Sequence, residues 1–122
     1  MPDQMSIAAL CCSPVLAGPL PEAEAELLAA SLRVLADPVR LRILGMVRHA
    51  PGRRARTVDL AADLGLTQPT VTHHLGVLFD AGFLSRDRDG RQTWYAVAPD
   101  GFAAVRQVFA WEPVRAEASR EV

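Results

Sequence analysis

Lysine is absent from this chain of 122 residues; all thirteen basic side chains are arginine. A phosphate loop of the Gly-Lys-Ser/Thr kind is thereby excluded. Cysteine occurs only as the adjacent pair Cys11-Cys12. Adjacent thiols cannot staple distant parts of a chain, a disulfide between neighbours is strained, and there is no Cys-x-x-Cys redox motif. No nucleophile–base pair stands out either, so the expectation is that the chain is not an enzyme, with a thiol-based enzyme using Cys11 and Cys12 as the remote alternative. No apolar run approaches the roughly 20 residues that span a bilayer. Met1 to Gln4 carries no basic n-region and includes Asp3. The expected location is therefore the cytoplasm, away from membranes, with both thiols reduced.

What is present suits one small domain. Half of the residues are hydrophobic, enough for a core, although a domain of this size gains from further burial in a dimer. The formal net charge of −1 conceals a strong asymmetry. Between Arg33 and Arg56 lie seven arginines (33, 40, 42, 48, 53, 54 and 56) against Asp37 alone, whereas Asp3, Glu22, Glu24 and Glu26 make the first 26 residues acidic. A basic middle segment fits either solvated helix faces or a polyanionic partner.

Pro2, Pro14, Gly18, Pro19 and Pro21 mark residues 1–21 as an N-terminal arm. Residues 22–111 read as the folded domain and 112–122 as a polar tail. A first helix is expected over Glu22–Leu35, with Leu28, Leu32 and Leu35 on one face. Asp37-Pro38 caps a second helix to about His49, with Leu41, Leu44 and Val47 inward. After a loop from Ala50 to Arg56, Thr57 is expected to cap a short helix over Val58–Leu64, striped by Leu60, Ala61 and Leu64. Gly65 ends it, and Thr67 caps a fourth helix that runs to about Ala81 and stops at Gly82. Phe83–Arg86 and Thr93–Ala98 are β-like around an Asp-Gly turn signal at Asp89-Gly90. Asp100 is expected to cap a last helix to about Trp111, with Phe102, Val105 and Phe109 on one face. The fold class is thus mainly α with a small β-hairpin: a winged helix-turn-helix.

With Val71 facing inward, Leu75 and Leu78 share its side of the fourth helix and His74 stands at the edge of the core. Thr70, Thr72, His73, Gly76 and Val77 face outward. That face is nearly uncharged and rich in short hydroxyls, which suits base edges better than bulk solvent. Gln68 has the geometry for a bidentate contact to adenine, and threonine methyls can meet thymine methyls. Gln68, Thr70, Thr72 and His73 are the candidate base-reading residues. Arg40, Arg42, Arg53, Arg54 and Arg56, with Arg88 and Arg91 of the wing, are candidates for phosphate or minor-groove contacts. The competing readings are capping for Thr67 and Gln68, and pairing of Arg88 and Arg91 with Asp87 and Asp89. A winged-helix module that binds only protein would show an acidic or apolar outer face on residues 70–77, and this face is neither.

Three stretches together resemble ArsR-type metalloregulatory repressors: Leu35-Ala36-Asp37-Pro38-Val39-Arg40-Leu41-Arg42-Ile43-Leu44, then Leu64-Gly65-Leu66-Thr67-Gln68-Pro69-Thr70-Val71-Thr72-His73-His74-Leu75, then Ala81-Gly82-Phe83-Leu84 with Gly90-Arg91 and Trp94-Tyr95. The resemblance covers about Glu24 to Phe109. It implies a homodimer built on the first and last helices, an imperfect palindromic operator in double-stranded DNA, and release by an inducer metal or metalloid. The chain departs from the family at Gly76, where members often carry Lys or Arg, which removes a phosphate contact there and leaves the fold.

Members of this family place their sensor sites in different spots. Thr57–Ala62 holds no Cys-x-Cys. The last helix has Asp100, but Phe102 stands where zinc sensors carry His and no His follows, so no zinc site is expected there and no cofactor is required. Cys11 and Cys12 resemble the N-terminal adjacent-cysteine site of arsenic sensors. Soft thiolates select As(III), Sb(III) or an organoarsenical such as methylarsenite. The loop Ala50–Arg56 supplies no third Cys, which leaves an exogenous thiol, an arsenic-bound carbon or His49 to complete the site. Hg(II), Cd(II), thiol oxidation and the absence of any metal site are the alternatives within the same family.

Overall fold

A computed structural model describes residues 18–110. Cys11 and Cys12, most of the arm and the 112–122 tail lie outside the described residues. The element order is α1 (Glu22–Leu35), α2 (Pro38–His49), a 3-10 turn (Pro51–Arg53), α3 (Thr57–Leu64), α4 (Gln68–Asp80), β1 (Leu84–Asp89), β2 (Gln92–Val97) and α5 (Pro99–Val108). No described helix is long and apolar enough to cross a membrane.

Asp37 starts α2: its carboxylate accepts from the backbone N–H groups of Val39 and Arg40 at 2.9 and 3.1 Å. Thr67 starts α4, its hydroxyl accepting from the Thr70 N–H at 3.4 Å. α3 and α4 both end in a Schellman turn. In the first, Gly65 (φ 71°) places the Leu66 N–H on the Ala61 carbonyl at 3.1 Å. In the second, Gly82 (φ 92°) places the Phe83 N–H on the Leu78 carbonyl at 2.9 Å. Leu78 and Phe83, the two residues that this turn brings together, are both fully buried.

Ile43, Val47, Val71, Leu75, Leu78 and Phe83 form the fully buried centre. Several sequence expectations need correction. Leu41 is 55% exposed, and Ile43 occupies the inward position on α2 instead. Thr57 is the first residue of α3 rather than its cap; Arg56 holds the cap position and no side chain caps the helix. Asp100 does not cap α5, which begins at Pro99 after Ala98 without a side-chain cap. The buried side of α5 is Gly101, Ala104 and Val108; Phe102 is half-buried against Phe83 with ring centroids 5.0 Å apart, and Phe109 is 44% exposed.

β1 and β2 pair antiparallel from Leu84↔Val97 to Asp89↔Gln92. The connecting turn is therefore Gly90-Arg91, with Gly90 at φ 67°, and both strands run closer to the tip than the Asp-Gly signal indicated. A positive φ at the first of two loop residues suits the right-handed twist of a tight hairpin. The loop before α3 adds a third partner, for Ala55 and Tyr95 exchange backbone hydrogen bonds of 3.0 and 2.9 Å.

α5 is seated by contact with the turn that ends α4. A Cβ on Gly101 would collide with the Gly82 carbonyl and touch the Phe83 ring. Gly101→Ala is accordingly expected to destabilise the protein by about 1–3 kcal/mol, the usual range for overpacking. Urea unfolding checks this, and an unchanged midpoint would show that the seat yields without cost.

Candidate nucleic-acid interface

The turn of Gly65, Leu66 and Thr67 sets α4 beyond α3 and leaves one side of α4 uncovered. Val71, Leu75 and Leu78 are buried, while Gln68, Thr70, Thr72 and His73 are exposed and carry no formal charge. Thr70 has a second engagement: its Oγ1 accepts from the Thr67 hydroxyl at 2.9 Å. A Cβ at Gly76 would meet nothing within 4 Å, so internal packing does not require glycine there.

His74 stands at the core edge, as its helical position predicts, and anchors α4 to α2. Its Nδ1 accepts from Arg40 Nε at 3.0 Å, and Arg40 Nη1 donates to the Val34 carbonyl at 3.2 Å. Arg40 thus joins the end of α1, the start of α2 and α4, a structural duty beside the phosphate contact expected of it. His73 faces outward beside His74, their ring centroids 5.7 Å apart.

The wing separates charge by strand alternation. Arg86 and Arg88 project to one face, paired in register with Tyr95 and Thr93, whereas Asp87 and Asp89 project to the other, opposite Trp94 and Gln92. The Arg86 guanidinium lies 3.9 Å from the Phe79 ring centroid, which turns the basic face toward α4. Arg88 Nε donates to the Gly90 carbonyl at 3.4 Å, and Arg88 and Arg91 are both exposed near the tip. Asp89 pairs instead with Arg54 at 3.7 Å, so Arg88 is not its partner.

Arg54 and Arg56 take up a different position from free phosphate contacts. Arg54 stacks 4.0 Å from the Trp94 ring centroid and Arg56 lies 5.3 Å from it. Arg56 also pairs with Asp59 at 3.0 Å and donates to the Gln92 side-chain carbonyl. Together with the Ala55–Tyr95 bridge, these contacts clamp the loop before α3 onto the base of the wing. Phe79 carries no expectation from the sequence, and Trp94, part of the family resemblance, carries none as an arginine platform. The period-two alternation Arg86, Arg88 against Asp87, Asp89 was the available signal. Among the described residues, no three His, Cys, Asp or Glu side chains are grouped to hold a metal ion.

The Arg40–His74 contact has a pH consequence. Burial lowers the His74 pKa below its ordinary 6.5, and the Arg40 charge adds to that effect against the opposing pull of Asp37. The bond also requires Nδ1 to be unprotonated. The unfolded chain therefore takes up the proton first as pH falls. This contribution to stability is complete above pH 6.5 and declines from there through the lowered folded-state pKa. His74→Gln keeps an acceptor and does not titrate, so its urea midpoint is expected to fall less between neutral and mildly acidic pH. Parallel curves for the two proteins would refute this.

A helix-turn-helix domain family model matches residues 35–86. Over 90 residues the chain is 39% identical to the "Probable mercury resistance operon repressor" of Streptomyces lividans, covering 70% of each protein. The crystal structure named "Possible transcriptional regulator for arsenical resistance" superposes with a TM-score of 0.60 at 26% identity, over 76% of this chain and 96% of that one. A homodimeric winged helix-turn-helix domain from Mycobacterium bovis, named a possible ArsR-family regulator, shares the fold with a TM-score of 0.59 at 20% identity, over 85% of this chain and 90% of that one. The chain spans 58–70% of the length of the first curated relatives it matches.

Proposed function

The chain belongs to the ArsR family of helix-turn-helix transcriptional regulators, and from that premise we propose that it is a homodimeric repressor released from operator DNA by a thiophilic metal or metalloid. The observation that carries the DNA half is the exposed, uncharged face of α4, bordered by the basic face of the wing. Gln68, Thr70, Thr72 and His73 read base edges, while Arg88 and Arg91 at the wing tip meet phosphates or the minor groove. Arg54 and Arg56 hold the wing at its angle from the face opposite Arg86 and Arg88. The homodimeric relative of the same fold supports a dimer, as does the exposed Phe109 at the C-terminal cap of α5, one turn after half-buried Val105. A two-fold dimer would place two α4 helices on the half-sites of an imperfect palindrome.

The inducer half rests on the donor set and on relatives named for mercury and arsenical resistance. Cys11 and Cys12 offer two soft thiolates, which a reducing cytoplasm keeps available. As(III) or Sb(III) would take a third thiol from solution, methylarsenite already carries a carbon in that position, and Hg(II) needs only the pair. Capture acts by favouring a dimer shape that no longer matches the operator, a coupling of about 1–3 kcal/mol or more.

Fluorescence anisotropy on the fragment upstream of the chain's own gene tests both halves. Gln68→Ala and Thr72→Ala are each expected to weaken operator binding by about 1–3 kcal/mol. Arg88→Gln should reduce the slope of log affinity against log salt by about one, whereas Trp94→Ala should weaken binding with the slope unchanged. Unaltered affinity in both α4 variants would remove the base-reading assignment.

The Cys11→Ser, Cys12→Ser double variant should bind the operator as the wild type does and ignore arsenite, antimonite, methylarsenite and Hg(II). Whichever of these releases the wild type identifies the inducer class. Release of the double variant by the same ion would refute the cysteine site.

A further inference from the structure

A second concavity lies away from the reading helix. It is a hollow of about 890 Å³, walled by the C-terminal half of α2, the 3-10 turn, the end of β2 and one side of α5, with no lining residue from α3 or α4. Its volume falls in the range of small-molecule pockets. Leu44, Val97 and Phe102 give it an apolar floor, and Arg48, Arg53 and Arg106 stand in its wall with no acidic residue among the lining. Among the described residues, none of these three arginines is in an ion pair. Cations gathered on one rim disfavour one another unless an anion lies among them.

Two backbone features keep this hollow open. Gly45 is an exposed glycine inside α2, where glycine weakens a helix relative to alanine. A Cβ there would meet nothing within 4 Å, so the protein's own packing does not call for glycine; the missing side chain leaves the wall open. At the opposite side, Gly52 and Arg53 both have left-handed backbone, with φ of 71° and 58°, and Arg53 is the one non-glycine described residue with positive φ. Such a conformation is costly for a side chain bearing Cβ, and here it presents a rim arginine.

We propose that this hollow binds an amphipathic organic anion, its apolar body on Leu44, Val97 and Phe102 and its carboxylate or sulfonate held by Arg48, Arg53 and Arg106. Guanidinium forks suit the planar acceptor pairs of such groups. The wall suits an anion rather than a metal ion, for it is cationic, lacks carboxylates and thiols, and offers His49 as its one metal-ligating side chain. The position also makes the site an input to DNA binding. Arg53 leads directly into Arg54 and Ala55, which clamp the wing, and Val97 ends the strand that the clamp holds. An occupant would bear on the wing from behind, independently of Cys11 and Cys12.

Full-length, DNA-free protein titrated with anilinonaphthalene sulfonate tests this. The fluorescence gain is expected to saturate at one probe per protomer, to be displaced by decanoate and not by decanol, and to persist in the Cys11→Ser, Cys12→Ser variant. The neutral analogue N-phenylnaphthylamine should bind more weakly. Combined Arg48→Gln and Arg106→Gln should weaken the sulfonate by about tenfold or more, the effect of losing charge-assisted hydrogen bonds. Gly45→Leu fills the hollow while improving helix propensity, so it should abolish binding with thermal stability kept or raised. Equal affinity for the neutral and anionic probes, unchanged binding in these variants, or no saturable binding would each overturn the site. Because no DNA is present, failure here leaves the repressor reading intact, and failure of operator binding leaves this site intact.

Discussion

The backbone turn at Gly82 and Phe83 fixes how α4 ends, where the wing begins and where α5 rests. A left-handed glycine lets two N–H groups return to the last turn of α4, and Phe83 is driven into the core above Leu78. The Phe83 carbonyl then receives the Ala98 N–H at 3.0 Å, which brings the end of β2 back to the start of β1. Gly101 lets the first turn of α5 settle directly on the Gly82 carbonyl. α4, the wing and α5 therefore meet at one corner, and a displacement of α5 has a direct mechanical route to α4.

A second tie runs through aromatic rings. Trp94 receives Arg54 and Arg56 on one side of the wing, and Phe79 receives Arg86 on the other. Such contacts hold a planar cation in place beside its carboxylate partner, Asp89 for Arg54 and Asp59 for Arg56, and so orient the wing. Lysine would serve less well, since its compact, strongly hydrated ammonium does not stack as a planar guanidinium does. An all-arginine basic complement is consistent with that use.

Much of this was legible in the sequence because the signals were local. Asp37-Pro38, Gly65 and Thr67 each specify a helix end through bonds within a few residues, and Val71, Leu75 and Leu78 follow the helical period. The misplacements have tertiary causes. Leu41 and Ile43 are both apolar on α2, and only the position of the neighbouring helices decides which faces inward. α5 is buried along Gly101, Ala104 and Val108 because close approach to the Gly82 turn admits small residues there, although the large apolar residues on the adjacent face had marked it as the core side. The arginine clamp joins residues far apart in sequence, which no local pattern reports.

The alternation of Arg86, Asp87, Arg88 and Asp89 along β1 gives the hairpin a parity. Each strand position belongs to one of two electrically opposite surfaces, so deleting or inserting one residue between Ser85 and Gly90 would exchange them, presenting carboxylates to the α4 side and arginines to the clamp. Changes by two residues would move the tip and preserve the assignment. A matched gain of two residues in both strands would carry the tip about 7 Å further and leave that assignment unchanged.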